Sequence, residues 1–182
     1  MNPMDAALKQ FTSSITRPDP FAPKRRAKLL FVAPGRSGKD ECCAITARLT
    51  GLRNAGTFSL HLTPFVAEAL GVDAATAYAT RHTNRDTWFR IGNEMRRDDP
   101  ARLCKLAFAA GDISGGVRGL PEIAAIREQG LVDLIVWVDR DVPHDPTMEF
   151  GPEWADVRVG NNGTLAELEA RLARLLRFGG LL

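Results

Sequence analysis

Cysteine is scarce in this chain: Cys42, Cys43 and Cys104 are the only three in 182 residues. Two are adjacent and the third is remote, an odd total with no CxxC spacing, so neither a disulfide framework nor a zinc site is expected, and the thiols read as buried or idle. His61, His82 and His144 lack mutual metal-ligand spacing, which leaves no case for a zinc or iron centre. Ser37 and the cysteines have no histidine near them in sequence, and nothing calls for a covalent nucleophile. No apolar run approaches the roughly 18–20 residues that a bilayer span needs. Residues 1–28 carry polar side chains and prolines where a signal peptide needs an uninterrupted apolar segment. Excess charge is missing too, because 24 Lys plus Arg stand against 22 Asp plus Glu for a net of +2. That balance argues against a nucleic-acid polymer as partner, and the short run Lys24-Arg25-Arg26 reads as a solvated approach to the first strand. Internal repeats and low-complexity tracts are absent. A cytoplasmic globular protein with no membrane partner is the expectation.

What is present is one domain's worth of alternating strand and helix signals, with 45% hydrophobic and 25% charged residues. Residues 1–27 read as an extension, with a short helix over Pro3–Phe11 and a proline-stiffened linker over Thr16–Pro23. Lys28–Ala33 is an apolar strand of the kind buried on both faces. A glycine-rich turn follows, then a helix from Asp40 to about Leu49. Thr57–Leu62 reads as a second strand and Pro64–Leu70 as a helix stopped by Gly71. Asn84–Arg97 and Pro100–Ala109 read as helices. Asp112–Val117 is a third strand weakened by Gly115 and Gly116. Leu120–Gln129 is a helix stopped by Gly130, Val132–Val138 a strong strand, Asp156–Val159 a short one, and Thr164–Leu176 a helix opened by a Thr164/Glu167 capping box. Such alternation predicts a three-layer α/β/α sandwich around a mainly parallel sheet of about five strands, spanning 28–178, with a helical insert at about 73–110.

The chemistry concentrates in Ala33-Pro34-Gly35-Arg36-Ser37-Gly38-Lys39-Asp40. This stretch lies between the first strand and a helix, where main-chain N–H groups and the helix dipole surround an anion. Gly35 and Gly38 allow close backbone approach, and Lys39 reaches β and γ phosphates as a point charge. Against GxxxxGK[ST], Ala33 replaces the first glycine and Asp40 replaces the magnesium-binding hydroxyl residue. An acid beside phosphates needs a cation between them, so Asp40 points to a magnesium nucleotide, bound through the metal's water shell or to the metal itself. Pro34 through Glu41 are therefore the candidate nucleotide-binding residues.

Arg36-Ser-Gly-Lys-Asp40 resembles the variant phosphate loop of bacteriophage deoxynucleoside monophosphate kinases, and is similar to the KSGKD loop of phosphomevalonate kinases. Arg85-Asp-Thr-Trp-Phe-Arg-Ile-Gly92 with Arg96 resembles the first family's helix of arginine, aromatic or glutamine, glycine and arginine. Val117-Arg-Gly-Leu-Pro-Glu122 resembles its strand-end arginine followed by glutamate. Asp156–Leu165, with its Asn161-Asn-Gly-Thr164 turn, resembles the closing strand, turn and helix. The resemblance implies a P-loop kinase fold, ATP as donor, Mg²⁺, a nucleoside monophosphate acceptor, and a location in the cytoplasm of a bacterial host if phage-encoded. It departs where family members often carry an acid before the arginine that Arg118 matches, since this chain has Gly115-Gly116-Val117. His144–Glu149 matches the family's histidine and acidic segment only loosely.

Phosphoryl transfer needs positive charge around the migrating group and a held acceptor, which singles out arginines outside the loop. Arg118 falls at a strand end on the ligand-binding edge, with an ion pair to Glu122 as the alternative. Arg85 and Arg96 lie on helices of the insert, where they either bind acceptor phosphate or are solvated. Trp88 either stacks on a base or packs against Ile91 or Phe89. Arg140 opens a proline-containing stretch, Asp141–Glu153, as a lid arginine or an ordinary loop residue. The expectation is an ATP-dependent (deoxy)nucleoside monophosphate kinase. Lys39, Arg118 and Arg140 act on the transferred group. Arg85, Trp88, Arg96, Arg118 and Glu122 bind the acceptor, and Asp40 serves the metal. The alternatives are a kinase of another small metabolite and a nucleotide-binding regulatory module; oligomeric state is left open, a homodimer included.

Overall fold

The computed structural model describes residues 26–182. The extension helix and linker expected over Pro3–Pro23 lie outside the described residues. Five parallel strands form one sheet in the order β2-β3-β1-β4-β5. β1 is Leu29–Val32, β2 Asn54–Thr57, β3 Ile113–Gly115, β4 Leu134–Asp139 and β5 Val157–Gly160. The helices are α1 Lys39–Thr50, α2 Phe58–Leu70, α3 Ala74–Ala79, α4 Arg85–Arg96, α5 Arg102–Ala110, α6 Leu120–Glu128 and α7 Leu165–Phe178.

Side chains along a strand point alternately to opposite faces, so a sheet covered on both sides needs apolar residues at every position. β1 has them, as all four of its residues are buried. Leu30 and Val32 join Ile135 and Trp137 in a cluster with Phe58, Leu62 and Val66 of α2, Leu103 and Phe108 of α5, and Ile123 and Ile126 of α6. Leu29 and Phe31 face the other way, with Val136, Val138, Ile45 of α1, and Leu168, Leu172 and Leu176 of α7. Three α/β/α layers result, and the expected fold class is the observed one.

Local readings hold where local chemistry decides. Thr164 caps α7 and Glu167 returns the bond, the full capping box. The second strand is a correction. The expected strand over Thr57–Leu62 is instead the first turns of α2, and the strand lies upstream at Asn54–Thr57. Phe58, Leu62 and Val66 recur every four residues and are all buried on one face, so helical burial overrides the β-prone look of Thr-Phe-Ser-Leu. Pro64 sits inside α2 rather than at its start. Its missing N–H leaves the carbonyl of Leu60 without that bond, on a turn where Leu60 is exposed.

The three thiols are free and buried, and burial pushes those of Cys42 and Cys104 up to about 12. They behave as core residues, as expected.

Leu172 on α7 is fully buried while Phe178 at its end is 93% exposed. Leu172→Ala should cost about 2–5 kcal/mol of unfolding free energy in urea titrations, and Phe178→Ala should leave the midpoint unchanged.

Candidate functional site

The carboxyl ends of β1, β3, β4 and β5 lie along one edge of the sheet, and the chain leaves each of them through a segment carrying a polar group. Open parallel sheets bind ligands at this edge, beside the strand where connections diverge. Here that strand is β1, with β3 on one side and β4 on the other.

The loop after β1 folds back on itself, with the Ser37 N–H donating to the Pro34 carbonyl at 3.4 Å. Arg36 is the one non-glycine residue with positive φ among the described residues, at 68°, and Gly38 follows at 85°. These two left-handed steps curl the backbone ahead of α1, whose first N–H groups have no side-chain cap. Gly38 is obligatory for a second reason: a Cβ there would collide with Nδ2 of Asn161. That Asn161 amide, just past β5, donates to the Ser37 carbonyl at 2.8 Å and locks the loop to the far side of the sheet. Asp40 and Glu41 occupy the first turn of α1, where carboxylates suit the helix dipole.

Lys39 is mostly buried along its stem, which runs past Gly115 at the end of β3, its Cδ 3.7 Å from where Gly115 would carry a Cβ. A Cβ on that glycine would meet the Phe31 carbonyl oxygen at 2.7 Å, so the residue that weakens β3 as a strand is the one that lets it lie close against β1. Nζ of Lys39 lies 3.0 Å from Oδ1 of the exposed Asp40, so the cation is balanced at the loop.

Arg118, three residues beyond β3, does not form the ion pair with Glu122. Its Nη1 instead donates to Oδ2 of Asp145 and, at 2.7 Å, to Oγ1 of Thr147. The same Asp145 oxygen accepts the main-chain N–H of Gly35 at 2.7 Å. Asp145 Oδ1 accepts the Thr147 hydroxyl at 2.6 Å and its N–H at 3.1 Å. Burial alone would raise this carboxyl; the Thr147 hydroxyl, the Gly35 N–H and Arg118 outweigh it and hold it well below the usual carboxylate range. Arg140, directly after β4, brings Nη1 to 3.9 Å from the same virtual Cβ on Gly38. Arg118 and Arg140 therefore reach the loop from two other strand ends.

The insert is only partly joined to this edge. Arg96 on α4 has Nη1 3.8 Å from Oε2 of Glu122, whose Oε1 is buried without a hydrogen-bond partner. Trp88 packs on the core beside Ile91 and meets Tyr78 edge-on at 6.3 Å between ring centroids, with its indole N–H buried and unpaired. The half-buried ring thus packs on the core. Arg85 is exposed and has no ion pair among the described residues, and Glu41 is exposed on α1. Sequence reasoning missed Asp145, Thr147 and the structural role of Asn161. The Asp-Pro-Thr triplet signals a turn, but no spacing announces that its carboxylate lands on Gly35.

Fold and loop together define a P-loop α/β domain. No family model and no curated protein sequence matches the chain. Among solved structures, shikimate kinase from Aquifex aeolicus vf5 is similar over 85% of this chain and 98% of that one, with 13% identity and a TM-score of 0.42.

Glu122 is 2% exposed. Burial pushes its carboxyl up to about 7; Arg96 and the N–H groups of Arg118 and Gly119 pull it down, and Glu149 adds to the rise. The unfolded group ionises near 4.5, so its folded carboxylate carries a penalty that is absent below pH 4.5, grows through the interval and is complete above pH 7. Between pH 5 and pH 8 the wild type should lose roughly 2–3 kcal/mol relative to Glu122→Gln in urea unfolding. Parallel pH profiles for the two proteins would contradict this.

Proposed function

We propose that the chain is a P-loop kinase, transferring the γ-phosphoryl of ATP·Mg²⁺ to a small acceptor, with a (deoxy)nucleoside monophosphate as the acceptor that the sequence resemblance implies. The observation that carries this reading is the convergence of Gly35, Lys39, Arg118 and Arg140, from three strand ends, on the loop after β1. Phosphoryl transfer in such a site needs positioning and charge neutralisation more than a proton-transfer group.

The loop amides and Lys39 hold the donor's β and γ phosphates. Arg118 and Arg140 neutralise the transferring group, Arg140 from the segment that follows β4. The helical insert at 73–110 supplies the acceptor side, with Arg96 oriented by buried Glu122. Arg85 is free to meet an acceptor phosphate. The donor set offers magnesium one carboxylate: Asp40 is exposed on the first turn of α1, with its Oδ1 3.0 Å from Nζ of Lys39. A magnesium ion, which keeps most of its waters and takes phosphate oxygens, needs no more than one such carboxylate. When bound, it neutralises charge on the β and γ oxygens.

β3 ends in Ser114-Gly115 and is followed by Gly116-Val117, without a carboxylate. That absence favours the second reading, a nucleotide-binding module with little turnover. Incubation with ATP, magnesium and a panel of nucleoside monophosphates and other phosphorylated or hydroxylated metabolites separates the cases. ADP together with a nucleoside diphosphate is expected. Product only from a non-nucleotide acceptor would move the assignment to a metabolite kinase, and binding without product would support the module. Lys39→Ala should lower turnover by at least about a hundredfold while leaving the thermal midpoint near that of the wild type.

A further inference from the structure

The segment after β4 is pinned at both ends. Asp141 N–H donates to Oδ1 of Asn162 at 2.8 Å. At the other end Glu149 N–H donates to the Arg118 carbonyl at 2.9 Å, and the Glu149 carboxylate accepts from Leu120 N–H at 2.9 Å. Between these anchors, residues 142–148 are joined by hydrogen bonds to the rest of the described chain only through Asp145 and Thr147. Their other hydrogen bonds are internal, from Thr147 and from Met148 N–H to Asp145.

The groups that hold Asp145 are anion binders. A main-chain N–H of a phosphate loop and a strand-end guanidinium both face one carboxylate oxygen, and neither is committed elsewhere except for the Arg118 bond to Thr147. Lys39 and the uncapped turn of α1 lie at the helix end of the loop, whereas Gly35 lies at its strand end. A polyphosphate whose β and γ groups are held by Lys39 brings its terminal oxygens within reach of the donors at Gly35 and Arg118 if it runs along the loop, the direction taken here. A carboxylate and a phosphate cannot share those donors, because two anions at hydrogen-bond distance repel strongly where water is partly excluded.

Resting on the nucleotide reading above, we propose that Asp145 is a built-in stand-in for the terminal phosphate: the strap 142–148 occupies the γ-phosphoryl subsite when it is empty and is displaced by a nucleoside triphosphate. Thr147 keeps the carboxylate shaped for that position through its two bonds to Oδ1 and travels with it when the strap leaves. Arg118 then exchanges a carboxylate for a phosphate, which makes it the group that senses the occupant. The cost of displacement lowers the apparent affinity for the triphosphate, as for any ligand whose site is competent only part of the time.

The test compares ATP·Mg²⁺ and ADP·Mg²⁺ affinities of the wild type and Asp145→Asn by calorimetric titration. The variant should bind ATP about tenfold more tightly, with ADP changed less than about twofold. Unchanged or weaker ATP binding by the variant, with the wild type still binding ATP, overturns the stand-in and leaves the kinase reading intact. Equal tightening for ATP and ADP overturns the assignment to the terminal phosphate. No binding of either nucleotide by either protein overturns both the inference and the reading on which it rests. Amide hydrogen exchange on the wild type removes dependence on the variant's folding. Exchange at residues 142–148 should accelerate on adding ATP·Mg²⁺ and not ADP·Mg²⁺, and protection of that segment by ATP would contradict the proposal.

Discussion

Everything at this site depends on a backbone held in a conformation that it would not choose alone. The backbone turns left-handed at Arg36 and Gly38, and left-handed backbone at a non-glycine residue carries a conformational cost. Asn161 offsets it: its amide donates to the Ser37 carbonyl from the end of β5, two strands away across the sheet from β1. The sandwich supplies the rigidity behind that bond, since β1 is sealed on both faces and α1 is clamped by the same cluster that holds α7. Packing, in this molecule, holds the loop in that shape.

Charge is arranged with equal economy. Lys39 faces Asp40 and Arg118 faces Asp145, so two of the four cations at the loop have a carboxylate at hand, while Arg36 and Arg140 have no ion pair among the described residues. A polyanion entering the site therefore meets Arg36 and Arg140 directly and substitutes for carboxylates at Lys39 and Arg118, where what matters is the difference between the two sets of contacts. That difference favours a group with several oxygens and more than one negative charge, which is how a site with modest net charge selects phosphate chains. The near-neutral composition of the whole chain is consistent with this local economy.

Much of this was legible in the sequence where the determining contacts are near in the chain. The loop from Gly35 to Lys39 announces itself because the strand, glycines, lysine and helix are contiguous, and the Thr164/Glu167 cap because its partners are three residues apart. The β2 region misled because Thr-Phe-Ser-Leu suits a strand locally, whereas burial of Phe58, Leu62 and Val66 on one face is decided by α5 and the sheet. Asp145 and Asn161 were not legible as site residues. Their partners lie 110 and 124 residues away, and neither Asp-Pro-Thr nor Asn-Asn-Gly says on which strand-end loop it will land. Arg118 shows both sides of this: its place at a strand end could be read, its choice of Asp145 over Glu122 could not.

The most direct test of the central claim, that the curled backbone between β1 and α1 grips polyphosphate oxygens, is to follow main-chain ¹H–¹⁵N resonances while ATP·Mg²⁺ is added. The account predicts that the amides of residues 35–40 shift together and saturate at one stoichiometric equivalent, ahead of amides elsewhere. Saturable shifts confined to other parts of the domain, or none at millimolar nucleotide, would contradict it.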